Sequence, residues 1–141
     1  MSVETVHASC VAIGGRGVLL RGPSGSGKSD LALRLIDRGA VLVSDDYTHL
    51  TAADGRLLAA APERIAGCIE VRGIGIVPME AAQNATVCLV VDLADPPQRM
   101  PEPEHAALAG SAVPLVRLSA LEASAPIKVE TALLLLGLPL P

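Results

Sequence analysis

The chain contains no phenylalanine and no tryptophan, and Tyr47 is its only aromatic residue among 141. A surface that stacks nucleic-acid bases needs several aromatic faces, so single-stranded DNA or RNA is a poor fit. Positive charge is scarce too. Eleven Lys and Arg face fifteen Asp and Glu, a formal net charge of −4, the wrong sign for gripping a phosphate backbone. Nucleic acid is therefore not expected as a partner. The longest apolar stretch, Ala132 to Leu138, falls far short of the roughly 20 residues of a membrane span. Met1-Ser2-Val3-Glu4 lacks the basic start of a secretory signal. Cys10, Cys68 and Cys88 are odd in number and far apart, which suits buried small hydrophobes in a reducing cytoplasm better than a disulfide framework.

Half of the residues are hydrophobic, ample for one folded domain over 1–141. Without large aromatics, its core must be built from Val, Leu, Ile and Ala. Val6 to Ile13 reads as a first strand, turned by Gly14-Gly15 into Gly17 to Arg21. A helix is expected from Lys28 to Gly39, and Val41 to Val43 follows after a short loop. Thr48 to Thr51 and Arg56 to Ala60 flank Asp54-Gly55, a hairpin signal. Cys68 to Ile76 is extended but interrupted by Gly73 and Gly75, and Thr86 to Val91 has the continuous apolar character of a strand buried on both faces. The proline-rich run Pro96 to Pro103 is a loop. Ala112 to Leu118 reads as one more strand, and Ile127 to Leu136 as a terminal helix entered through Ala125-Pro126. The fold class is α/β, strand-rich, with a mixed sheet and few helices.

The chemistry concentrates in Gly22-Pro23-Ser24-Gly25-Ser26-Gly27-Lys28-Ser29, the G-x-x-x-x-G-K-S pattern of a phosphate-binding P-loop lying between a strand and a helix start. Glycines let main-chain N–H groups converge on phosphate oxygens at the positive end of the helix. In this pattern Lys28 reaches the β- and γ-phosphates and the Ser29 hydroxyl faces Mg²⁺. A nucleotide and Mg²⁺ are the expected ligands. An acidic partner is also required, and two candidates stand open: Asp92, which ends an apolar strand, and the adjacent pair Asp45-Asp46. Two neighbouring carboxylates repel unless a cation separates them, an arrangement that a base beside a bound metal exploits.

Val6-His7, the P-loop and its helix, Arg38-Gly39, Val43-Ser44-Asp45-Asp46 and Ile69-Glu70-Val71-Arg72-Gly73-Ile74-Gly75-Ile76 occur in this order. Together they resemble the catalytic domain of bacterial HPr kinase/phosphorylase, from about Val6 to Arg99, in a short form without the amino-terminal domain. The resemblance implies a fold like that of phosphoenolpyruvate carboxykinase, hexameric assembly, and ATP- and Mg²⁺-dependent phosphorylation of a serine on HPr, the phosphocarrier of the sugar phosphotransferase system. It also implies the reverse phosphorylase reaction. By residue, it makes Asp46 the base, Lys28 the bridge to the transferring phosphate, and Ser29 and Glu70 the metal ligands. His7 lies beside Asp46 in this scheme, and Arg99 neutralises phosphoryl charge. Of the family's later segment linked to phosphoserine removal, only Pro114 and Arg117 find a match. A second reading keeps the P-loop but makes the chain a nucleotide-responsive binding module without kinase activity.

Overall fold

A continuous apolar run such as that from Val87 to Val91 dictates a strand buried on both faces, and the chain spends far more of its length on strands than on helices. The computed structural model describes residues 3–141; Met1 and Ser2, the first residues of the stretch that lacks the basic start of a secretory signal, lie outside the described residues. The strands are β1 (Val3–Val6), β2 (Ala8–Ile13), β3 (Arg16–Arg21), β4 (Val41–Ser44), β5 (Thr48–Ala53), β6 (Arg56–Ala60), β7 (Cys68–Val71), β8 (Gly75–Pro78), β9 (Ala85–Asp92), β10 (Glu104–Leu108) and β11 (Ser111–Arg117). Two α-helices, α1 (Lys28–Asp37) and α2 (Ala125–Leu136), and a single 3₁₀ turn at Glu63–Ile65 complete the described residues. The α/β, strand-rich, helix-poor class expected from the sequence is the class observed.

Nine strands form one curled mixed sheet in the order β1-β5-β6-β9-β3-β2-β4, with β11 joined to β9 and β10 to β11; β7 and β8 form a separate hairpin. The central β9 runs parallel to both β3 and β11. Leucines and valines of the sheet divide by strand periodicity. Val18 and Leu20 face α1 and α2 with Leu31, Leu35, Val129 and Leu133, whereas Leu19 faces Val43, Leu50, Leu57 and Leu115 on the opposite side. Each fully buried leucine stabilises the fold by about 1.5–3 kcal/mol, so an aromatic-free core suffices. Register slips between Gly17 and Val18 against β9. A Cβ on Gly17 would stand 2.7 Å from Thr86 O, and glycine is what lets the strands approach there.

The structure departs from the sequence reading in two places. The first strand is two strands: β1 pairs with β5, while β2 pairs with β3 and β4, and His7 sits at the bend where the chain changes partners. Strand β10 occupies a stretch for which the sequence predicts no element. It shows only Ala106 and Leu108 to the core, too weak an alternation to stand out, and it turns into β11 through Ala109 and Gly110 at φ 46° and 82°. A left-handed alanine hides the usual turn signature. The loop at 96–103 holds no regular structure.

Candidate active site

The carboxyl end of β3 feeds directly into the glycine loop, whose last residue, Gly27, caps α1. Gly25 and Gly27 adopt φ of 85° and 96°, backbone that other residues enter only with strain. A Cβ on Gly27 would also lie 2.9 Å from Ala120 Cβ. Lys28 is buried, and its Nζ donates to the loop carbonyls of Gly22 at 2.7 Å and Pro23 at 3.2 Å. Burial pushes the Lys28 pKa below the usual lysine value, and the nearby charges of Asp46 and Asp45 oppose that shift in part. The Ser26 hydroxyl is buried without a hydrogen-bond partner among the described residues.

Strand β4 ends by delivering both acids of the pair, and they go to different places. Asp45 is buried. Its Oδ1 accepts from Ser29 Oγ at 2.6 Å and from Ser9 Oγ at 3.0 Å, and its Oδ2 accepts from the Glu70 main-chain N–H at 2.9 Å. Asp46 takes φ 68°, which turns its exposed side chain away from its neighbour. Its main-chain N–H donates to Ser9 Oγ at 3.0 Å, and its Oδ1 accepts from His7 Nε2 at 2.8 Å. Tyr47 stacks on the His7 ring with centroids 5.1 Å apart. The repulsion expected of adjacent carboxylates is thus relieved by geometry: one is satisfied by hydroxyl and amide donors, the other by an imidazole.

A cavity of about 540 Å³ opens over this arrangement, lined among others by Lys28, Ser29, Asp46, Glu70, Arg72 and Leu121. Glu70 and Arg72 reach it from the β7–β8 hairpin, and neither enters an ion pair among the described residues. No cluster of three metal-ligating side chains occurs among the described residues, so a divalent ion here would need phosphate oxygens and water to complete its shell, as Mg²⁺ commonly does. The glycine loop fits a polyphosphate. It offers left-handed glycines, a lysine held only by loop carbonyls, an orphan hydroxyl, and a Ser29–Asp45 oxygen pair of the hard type that Mg²⁺ prefers.

His7, Lys28, Ser29, Asp46, Glu70 and the loop Gly22 to Gly27 are therefore brought to one place. Arg99 is not. It stands exposed in the loop at 96–103, which leaves the end of β9 toward the β10–β11 hairpin, and it does not line the cavity. Asp92, the rival acid, is buried and engaged elsewhere: Arg21 Nε donates to its Oδ2 at 3.2 Å, Arg117 lies 3.6 Å away, and the Ala94 N–H donates to its Oδ1. The sequence pattern alone gives no separate task to Asp45 and none to Arg72. Strand β2 holds the signal for Asp45, since Ser9 is a lone buried hydroxyl in an apolar strand and requires a partner.

Comparison with known proteins agrees with this fold. The model of the HPr Serine kinase C-terminal domain matches residues 1–95. HPr kinase/phosphorylase of Clostridium perfringens is 45% identical over 82 residues, covering 57% of this chain and 27% of that protein. The Geobacillus protein of the same name is 42% identical over 96 residues, covering 62% of this chain and 31% of the relative. The chain thus spans about a third or less of the length of these curated relatives. The solved structure of the Hpr(Ser) kinase/phosphatase from Coxiella burnetii superimposes with a TM-score of 0.79 at 30% identity, covering 91% of this chain and 92% of that one. A family match over two thirds of the sequence, joined to a shared fold along nearly its whole length, leads to one conclusion: this chain belongs to the HPr serine kinase C-terminal domain family.

Proposed function

We propose that residues 1–141 form a catalytic domain that uses ATP and Mg²⁺ to phosphorylate a serine of an HPr-like phosphocarrier. The observation that carries this reading is the division of labour between Asp45 and Asp46 across one P-loop cavity. Lys28 exchanges the Gly22 and Pro23 carbonyls for phosphate oxygens. Ser29 and Asp45 hold the metal side of the site, with Glu70 facing it from the hairpin. Bound Mg²⁺ supplies neutralisation of phosphate charge. Asp46 accepts the proton of the incoming serine hydroxyl at a carboxylate oxygen, because an unassisted hydroxyl is a weak nucleophile. His7 keeps that carboxylate oriented through its 2.8 Å hydrogen bond. Phosphoryl transfer asks mainly for alignment and charge neutralisation. In this chain Arg72 is the arginine of the cavity and takes the task that the resemblance gave to Arg99.

In the reverse reaction Asp46 would return its proton to the serine oxygen as inorganic phosphate takes the phosphoryl group. Arg117, the match to the family's phosphorylase segment, is tied to Glu104 at 3.0 Å and Asp95 at 3.3 Å and offers no free cation to that reaction. We therefore assign the forward reaction to this chain. The reading places it in the cytoplasm beside its carrier, and the exposed Leu134, Leu135 and Leu136 at the end of α2 supply apolar surface for a homo-oligomer.

Incubation with ATP, Mg²⁺ and an HPr-like protein, followed by mass spectrometry of the carrier, tests the proposal. Phosphoserine on the carrier is expected. Nucleotide binding without transfer would instead make the chain a nucleotide-responsive binding module.

A further inference from the structure

The P-loop reading leaves the base of the nucleotide unplaced, and no aromatic side chain lines the cavity to hold it. The chain's only aromatic, Tyr47, is stacked on His7. Topology shows where that end of the ligand must go. The strand order is β9-β3-β2-β4, so the carboxylates Asp45 and Asp46 lie on one side of the P-loop strand and β9 with β11 on the other. β3, β9 and β11 are parallel, and ligands of such sheets sit outside the carboxyl ends of the strands. With the reacting phosphate drawn toward Asp46, the opposite end of the molecule points to the loop that follows β11.

That loop carries Leu121. The side chain is 85% exposed, yet it lines the P-loop cavity together with Leu33 of α1. The backbone beneath it is fixed. Arg34 donates through Nε to Asp30 Oδ2 at 3.0 Å, through Nη1 to Glu122 O at 3.1 Å, and through Nη2 to Ala120 O. Ala120 in turn packs so closely over the loop that only glycine fits at position 27. A large aliphatic side chain is therefore held in water at the cavity mouth by a clamp on both of its neighbours. Resting on the assignment of the P-loop to a nucleotide, we infer that Leu121, with Leu33, is the shelf for the heteroaromatic base of the nucleoside triphosphate.

Calorimetric titration of the full chain with ATP and with inorganic tripolyphosphate, both with Mg²⁺, separates base from phosphate. The wild type is expected to bind ATP more tightly than tripolyphosphate. Leu121→Ser should weaken ATP binding by about five- to tenfold, the loss of part of a leucine contact, and leave tripolyphosphate unchanged. Leu121→Phe, which widens the shelf at a solvent-exposed position, should hold or improve ATP affinity. Equal affinity of the wild type for the two ligands would overturn the shelf alone. So would a Leu121→Ser protein that binds ATP as the wild type does, or that loses both ligands in equal proportion. A wild type that binds neither ligand would remove the nucleotide site itself, and the shelf with it.

Discussion

Replacing Asp45 by asparagine tests which acid organises the site. The carboxylate receives three hydrogen bonds, two hydroxyls on Oδ1 and the Glu70 N–H on Oδ2. Asparagine keeps one acceptor oxygen, so if it serves the two serines its NH₂ must face the Glu70 N–H, donor against donor. One charge-assisted bond is lost and two become neutral. Bonds to a charged acceptor contribute about 1.5–3 kcal/mol each, which puts the expected destabilisation near 2–4 kcal/mol. For a domain of this length, each kcal/mol shifts Tm by about 3 °C, so Asp45→Asn should melt about 6–12 °C lower. Circular dichroism during heating and urea titration measure this directly. The same variant should lose most of the gain in ATP affinity that Mg²⁺ provides. Asp92→Asn is the control. It breaks the contacts with Arg21 and Arg117 and should also destabilise the fold, yet its Mg²⁺-dependent ATP affinity should stay within about twofold of wild type. An unchanged Tm in Asp45→Asn, or loss of the Mg²⁺ effect only in Asp92→Asn, would refute the reasoning.

Two further outcomes follow from shifted pKa values. Burial lowers the Lys28 pKa in the free site, and a bound phosphate anion raises it, so nucleotide binding at alkaline pH should take up a proton. Titrations in buffers of different ionisation enthalpy will detect that uptake, and it should vanish well below the lowered pKa, where Lys28 is protonated in both states. Desolvation pushes the Cys10 thiol up to about 12 and also raises that of Cys88. In native protein at neutral pH, a thiol reagent should therefore label the half-buried Cys68 well before the other two, and all three only after unfolding.

Much of the fold was legible because its signals are local. The strand, glycine loop and helix from Arg16 to Asp37, the Asp54-Gly55 hairpin and the apolar β9 each declare themselves in a local stretch of sequence. Pro126 and Gly137 also bracket α2 at its observed ends. What stayed hidden was set by long-range pairing. The break at His7 exists because β1 and β2 serve different neighbours, and nothing in Val6-His7-Ala8 shows it. The contrast within Asp45-Asp46 depends on Ser9, 36 residues away from Asp45 along the chain. The resemblance implied a role for Arg99, but that residue stands exposed in the proline-rich loop and does not line the cavity. Arg72 enters instead, through a hairpin whose docking beside α1 only the tertiary structure reveals.

The central claim is that Asp46 takes the proton from an incoming serine while the P-loop holds the phosphates. Asp46→Asn with an HPr-like acceptor is its most direct test, with ATP affinity and phosphoserine formation measured on the same protein. The account predicts near-normal ATP binding and transfer slowed by about 10²–10⁴-fold. Transfer at the wild-type rate would contradict it.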